Sequence, residues 1–345
     1  MESIKSLKDI KDIKVNELGK KLVSANHEEI LKGFTTDVYF VRTLDILKHM
    51  NLDETEVTAE IFARKEGVFV GIEEVKEILK DKDIELWALD EGEKFKPKET
   101  LVRIKGKYNE FAIYESVILG CLASPSGWAT AANKVKEACS DSDFVIFGTR
   151  HLHPSVSTVM ERAAYLGGAS AVSNILAAKK IGIEPMGTLP HASFIIAGDT
   201  VKVAKAYDEI SPKDHKRIVL VDTFKDEVEE SLRVAKALGE NLYAIRLDTP
   251  SERGGVSPEL VKEVREHLNI QGYNWVKIFV SGGLTPDRIK KLKDAGADNF
   301  GVGSYISGAK AIDMTMDIKE VNGKPIAKRG RLPGIVENHN IKKIK

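Results

Sequence analysis

The chain has 345 residues, with 52 Lys and Arg balanced by 52 Asp and Glu. A net charge of zero gives no bulk attraction to nucleic acid or to an anionic membrane surface, and 42% hydrophobic residues suffice for a sizeable core. Cys121 and Cys139 are the only cysteines, too few for a disulfide scaffold and without a CxxC pair for structural zinc. No signal-like apolar stretch opens the sequence and no run of about 18 apolar residues could span a membrane, so a cytoplasmic protein is expected.

Residues 1–33 alternate Lys, Asp and Ile and read as an amphipathic arm or helix. Asp37–Phe40 opens a helical segment that continues through Leu44, Leu47 and Met50. Val57–Ala63 reads as a strand, Gly67–Gly71 as a turn and Glu73–Leu79 as a short helix. Two further strands, Ile84–Leu89 and Thr100–Lys105, complete a small antiparallel α+β domain. From Tyr114 the period turns helical. Pro125-Ser126-Gly127 is expected to interrupt it before a small-residue helix, Ala129–Ala138.

A strand–turn–helix rhythm follows. Strands are expected at Phe144–Phe147, Ile183–Gly187, Arg217–Val221, Leu242–Leu247, Val276–Val280 and Phe300–Val302. Helices are expected at Pro154–Tyr165, Ala169–Lys180, His191–Asp208, Asp226–Leu238, Pro258–Leu268 and Pro286–Asp294. This alternation predicts a parallel sheet with right-handed crossovers. No G-x-G-x-x-G follows the first strand, which favours a closed or nearly closed βα barrel over a doubly wound sheet. Asn322-Gly323, between Asp313–Val321 and Pro325–Arg329, signals a hairpin that returns to the first domain. The expected organisation is residues 1–115 with 312–336 returning to them, a barrel over 116–311, and a polar tail at 337–345, within a Lys-rich stretch, 331–345, expected to be frayed.

In such a barrel chemistry collects where the strands end. Those ends carry Gly148-Thr149-Arg150-His151, then Thr188 and His191, Asp222-Thr223, and Asp248-Thr249 with Arg246 just inside. The glycine turns Ser281-Gly282-Gly283 and Gly303-Ser304 close the series. Glycines at one sheet edge, one pair leading into a helix, suit a phosphate. Arg150 is a planar fork suited to a carboxylate or phosphate. His191 is a candidate acid, base or nucleophile, and Asp222 and Asp248 are oxygen donors for magnesium or for sugar hydroxyls. Taken singly, Arg150 could be a surface ion pair, and His191, Asp222 and Asp248 could be helix caps. His151 and His153 read as structural or solvent-facing. Taken together, five polar strand ends suit a ligand with a phosphate, a sugar and a magnesium-bound pyrophosphate.

The segments TTDVYF (Thr35–Phe40), YESVILGCLASPSGWAT (Tyr114–Thr130), FGTRHLHP (Phe147–Pro154), GTLPHA (Gly187–Ala192), RLDTPSERGG (Arg246–Gly255), SGGL and GVGS resemble the archaeal-type branch of nicotinate phosphoribosyltransferase. The resemblance runs from about Phe34 to Arg331. It implies an incomplete TIM-like βα barrel and an N-terminal α+β sandwich domain completed by the C-terminal hairpin. It implies a homodimer or higher homo-oligomer with shared active sites. The implied reaction joins nicotinate to phosphoribosyl pyrophosphate in NAD salvage, coupled to ATP through a phosphohistidine at His191, with Mg2+ on the pyrophosphate near Asp222.

Carried over position by position, Tyr39 would stack on the pyridine ring from a neighbouring subunit and Phe147 would form its other face. Arg150 would meet the nicotinate carboxylate or a phosphate, with Thr188 beside the substrate. Arg246 and Asp248 would hold the ribose and pyrophosphate end, and Gly282, Gly283, Gly303 and Ser304 the 5′-phosphate. Longer relatives carry a cysteine cluster for zinc, and none is expected here.

Two alternatives stand beside this reading. Quinolinate phosphoribosyltransferase shares the barrel, the glycine loops and the segment Ser126–Thr130. It must hold two carboxylates and release one as CO2, which asks for more cations than Arg150, His151 and His153 supply. The other alternative is a non-catalytic sensor of phosphoribosyl ligands.

Overall fold

The strand Glu56–Ala63 is buried along most of its length because it has neighbours on both sides. It pairs antiparallel with Thr100–Lys107 and with Met314–Val321. In the computed structural model, which describes residues 5–6, 8–9 and 23–345, these strands lie in one six-stranded sheet. Its order is Lys324–Pro325, Met314–Val321, Glu56–Ala63, Thr100–Lys107, Ile84–Ala88 and Lys342–Lys343. The greater part of the amphipathic arm expected over residues 1–33 lies outside the described residues. The chain divides into two compact units, Met1–Ala129 with Lys310–Lys345, and Thr130–Ala309. The core of the first unit gathers Ile61, Phe69, Leu86, Leu101 and Phe111 under its sheet.

Two expectations for the first unit need correction. The tail is not frayed: Lys342 and Lys343 pair with Ala88 and Trp87. Ile341 and Ile344 pack against the core, and the Lys345 ammonium donates to the carbonyls of Leu79 (2.7 Å), Lys80 (2.6 Å) and Lys82 (2.5 Å). An unpaired sheet edge and the turn carbonyls after the helix Ile72–Ile78, which have lone pairs to spare, each offer a lysine-rich segment a place to bind. Nor does Pro125 interrupt its helix, which runs unbroken from Glu115 to Cys139. Proline withholds the N–H that the Cys121 carbonyl would accept four residues back. Gly71 closes on that carbonyl instead: a Cβ at Gly71 would stand 1.9 Å from the Cys121 oxygen, so only glycine fits.

The second unit holds six parallel strands: β1 (Asp143–Ile146), β2 (Ala171–Val172), β3 (Arg217–Leu220), β4 (Leu242–Leu247), β5 (Lys277–Val280) and β6 (Asn299–Val302). They are ordered β2-β1-β6-β5-β4-β3. The edge strands β2 and β3 do not pair with each other, so the barrel is open along one side. Val145, Ala171, Ile218, Ala244 and Phe279 fill its interior, with Phe147, Met186 and Tyr243 packed against them.

The second strand lies earlier than the sequence suggested. Ala171–Val172 pairs with β1, inside the stretch expected to be helical, and the helix begins only at Ile175, capped by Asn174. The stretch Ile183–Gly187 forms no strand. Pro185 has no N–H for a ladder, and a single bond from Met186 N to Val172 O (2.8 Å) ties the segment to the sheet.

Candidate active site

The carboxyl ends of β1 and of β3–β6 open on one set of polar groups, and Arg246 is its hub. Its Nε donates to Ser281 Oγ at 2.8 Å and its Nη1 to Thr188 Oγ1 at 2.5 Å. Its Nη2 lies 3.1 Å from Asp248 Oδ2. Ser281 Oγ donates in turn to Asp248 Oδ1 at 2.7 Å, so both carboxylate oxygens are held. The Arg246 guanidinium also sits 5.3 Å from the centre of the Phe147 ring. That ring lies over Gly301 of β6, where a Cβ would meet it at 2.4 Å. The glycine in β6 therefore makes the room that lets an aromatic side chain close the end of β1.

His191 begins the helix His191–Ala197, and its Nε2 is 3.1 Å from Asp222 Oδ2. The Asp222 side chain is fully buried, while that of His191 is 39% exposed. The second oxygen, Asp222 Oδ1, is buried with no hydrogen-bond partner. Burial pushes the Asp222 pKa up, the neighbouring His191 opposes the shift, and the charge of Asp248 adds to it. A buried carboxylate with one orphaned oxygen calls for a cation or a donor supplied from outside the chain. Neither aspartate is a helix cap: Asp226 caps the helix Glu227–Leu238, and Ser257 caps Pro258–Ile270.

The glycine turns present free donors. Gly282 and Gly283 have φ of 92° and 57°. Among the described residues no acceptor takes the N–H of Gly282, Gly283 or Gly303. Arg150 is exposed in the short 3₁₀ turn Thr149–His151 and forms no ion pair among the described residues, so its charge is open to a ligand. His151 Nδ1 is 3.0 Å from Ser307 Oγ, which donates to Gly303 O at 3.2 Å. Burial lowers the His151 pKa, and Arg150 lowers it further. His153 accepts from Ser155 N and caps the following helix. Ser304 starts the short helix Ser304–Ser307. Tyr39 belongs to the first unit, where it is 54% exposed with its ring 4.2 Å from that of Phe40.

Sequence reading named Ser281 only as the first residue of a glycine turn and passed over Ser307 and Glu161. Glu161 is fully buried, and its carboxylate accepts from Thr149 Oγ1 (2.5 Å), Ser173 N (2.8 Å), Ser173 Oγ (2.9 Å) and Asn174 N (2.7 Å). It ties the Thr149–His151 turn to the segment after β2. Among the described residues no group of three or more His, Cys, Asp or Glu side chains could hold a metal alone, and no helix is long and apolar enough to cross a membrane.

An α+β unit followed by an open barrel of parallel strands, polar at their carboxyl ends, is a fold shared with known enzymes. The family models of quinolinate phosphoribosyl transferase match this chain in both domains, the N-terminal at residues 37–126 and the C-terminal at 128–317. The chain belongs to the quinolinate phosphoribosyl transferase family. The crystal structure of nicotinate-nucleotide pyrophosphorylase from Pyrococcus furiosus is 45% identical, with a TM-score of 0.88 over 91% of this chain and 82% of that one.

A probable carboxylating nicotinate-nucleotide pyrophosphorylase of Archaeoglobus fulgidus is 26% identical over 271 residues, 76% of this chain and 95% of the relative. A nicotinate phosphoribosyltransferase of Mycobacterium tuberculosis is 33% identical over 250 residues, 69% of this chain. This chain spans about half, 52%, of the length of that relative.

These findings overturn the assignment to ATP-coupled nicotinate phosphoribosyltransferase. The family models of both domains and the Pyrococcus structure belong to the quinolinate kind. That family needs no ATP, so the ligase class, ATP as co-substrate and His191 as a phosphate acceptor all fall with it. The physical source of the error lies in the motifs. The segments GTLPHA, RLDT, SGGL and GVGS, on which that assignment rested, stand in a chain that the quinolinate family models match in both domains, so they do not separate the two kinds of enzyme.

Proposed function

We propose that the chain is a quinolinate phosphoribosyltransferase, a carboxylating nicotinate-nucleotide pyrophosphorylase. It would convert quinolinate and phosphoribosyl pyrophosphate to nicotinate mononucleotide, pyrophosphate and CO2. The observation that carries this reading is the pairing of free glycine N–H groups with the Arg246–Asp248–Ser281 cluster in a chain of this family.

Each group then has a role. The N–H groups of Gly282, Gly283 and Gly303, with the Ser304 turn, hold the 5′-phosphate. Asp248, fixed by Ser281 and Arg246, stabilises positive charge on the ribose as its bond to pyrophosphate breaks. Asp222, buried with one orphaned oxygen, would help to hold magnesium, which would offset the charge of the leaving pyrophosphate, and His191 keeps that carboxylate oriented. Phe147 forms one wall for the pyridine ring. Arg150, exposed and without an ion pair among the described residues, supplies a cation for a carboxylate of the ring, and Arg246 stands beside the Phe147 wall with its charge shared with Asp248.

Once the ring nitrogen bonds the ribose it carries positive charge. The adjacent carboxylate then leaves as CO2, its electron pair stays on the ring carbon beside that nitrogen, and a proton replaces it. Release of CO2 removes the need for a second energy source.

We also propose that the protein works in the cytoplasm as a homo-oligomer. Both cysteines are unpaired, and Ile175, Leu176, Ile195 and Ile196 are exposed apolar residues on the helices Ile175–Ile181 and His191–Ala197. The deciding assay supplies quinolinate and phosphoribosyl pyrophosphate without ATP. One CO2 per nicotinate mononucleotide is expected. No product from quinolinate, or product from nicotinate instead, would sink the reading.

A further inference from the structure

Arg288 stands behind the first glycine turn, at the third position of the helix Pro286–Asp294. Its Nη1 donates to the carbonyls of Gly282 at 3.1 Å and Gly283 at 2.8 Å, and its Nη2 to Val256 O at 3.2 Å. It makes no ion pair among the described residues, so its charge is spent on backbone carbonyls alone. Val256 lies on the loop after β4, beside Gly254 and Gly255, whose φ values are 90° and 70°. Two glycine-kinked loops, one following Asp248 and one following Ser281, thus turn carbonyls toward one guanidinium.

Peptide geometry gives this arrangement its consequence. No peptide bond in the described residues is cis. In a trans peptide the carbonyl of one residue and the N–H of the next point in opposite directions. Holding the Gly282 and Gly283 carbonyls on Arg288 therefore aims the N–H groups of Gly283 and Leu284 away from it. No acceptor among the described residues takes either one. The guanidinium also offsets the negative ends of the same peptide dipoles, which would otherwise repel an anion.

We propose that Arg288 is a positioning residue for phosphate binding. It acts through the backbone, by fixing the orientation of the Gly282–Leu284 peptides, and does not need to touch the ligand. The inference rests on the phosphate role given to this turn above.

The test is titration of ribose 5-phosphate into the whole chain by calorimetry, with Arg288→Met and Arg288→Lys beside the wild type. The expected Kd for Arg288→Met is about ten- to a hundredfold higher, the scale of losing hydrogen bonds to a charged group. Arg288→Lys keeps the charge but cannot fork to three carbonyls, so it should fall nearer to Met than to wild type. In turnover the same factor should appear in KM for phosphoribosyl pyrophosphate, while kcat and KM for quinolinate change by less than about threefold. A wild-type Kd in either variant would overturn the positioning role. A wild-type chain that binds no ribose 5-phosphate would instead overturn the phosphate role of the turn itself, whichever pyridine acid the enzyme uses.

Discussion

Arg246 lies 5.3 Å over the ring of Phe147, with its three guanidinium nitrogens directed to Ser281, Thr188 and Asp248. One side chain therefore joins the ends of β1, β4 and β5 with the loop that carries Thr188. A lysine at this position would keep the charge but could satisfy only part of that set. Arg246→Lys should lower kcat/KM by about a hundredfold, roughly 3 kcal/mol of transition-state stabilisation. Thermal melting should shift by only a few degrees. Near-normal kcat/KM would remove Arg246 from the working site.

Asp222 separates stability from activity. Its carboxyl pKa is raised by burial, which outweighs the help it draws from His191. The folded state therefore binds a proton more tightly than the unfolded one. Stability from this group is present below the unfolded pKa of about 3.9 and is lost as pH rises through the folded value. Asp222→Asn should remove that loss. At pH 7.5 the variant should melt no lower than wild type. Its kcat/KM should fall by about a hundredfold or more. A large drop in melting temperature would show that the Asp222 bond to His191 stabilises the fold more than burial of the charge costs.

Burial also raises Glu115, to about 7, with Asp317 adding to the shift and Lys328 opposing it. The sign is again that of an acid with a raised pKa: stability is lost as pH climbs from about 4.3 through about 7. After discounting for solvent screening, the loss is about 1–2 kcal/mol. Glu115→Gln should flatten this part of the pH–stability curve, as urea melts between pH 5 and 8 would measure. Parallel curves for the two proteins would mean that Glu115 titrates as an ordinary surface acid.

The strand ends were legible because their signals are local. A β-branched run followed by glycine or aspartate marks a strand and its exit, and β3–β6 fall close to where the pattern puts them. Ala171–Val172 was not legible: two small residues between helices carry no alternation, and only pairing with β1 makes them a strand. Glu161 was missed for a related reason. On an amphipathic helix a glutamate reads as solvent-facing, and its burial follows from Thr149, Ser173 and Asn174, which the fold brings to it. Arg288 reads as one more surface charge until the glycine carbonyls are seen to face it.

The sheet of the first unit carries one more implication. Glu56–Ala63 sits between Thr100–Lys107 and Met314–Val321, and the whole of Thr130–Ala309 separates these neighbours in sequence. A ribosome therefore finishes the barrel strands before it makes Met314–Val321. At the usual pace of translation the central strand waits roughly ten to forty seconds with one edge bare. In that interval the nascent chain offers an open β edge, and a chaperone that shields such edges would have most effect then.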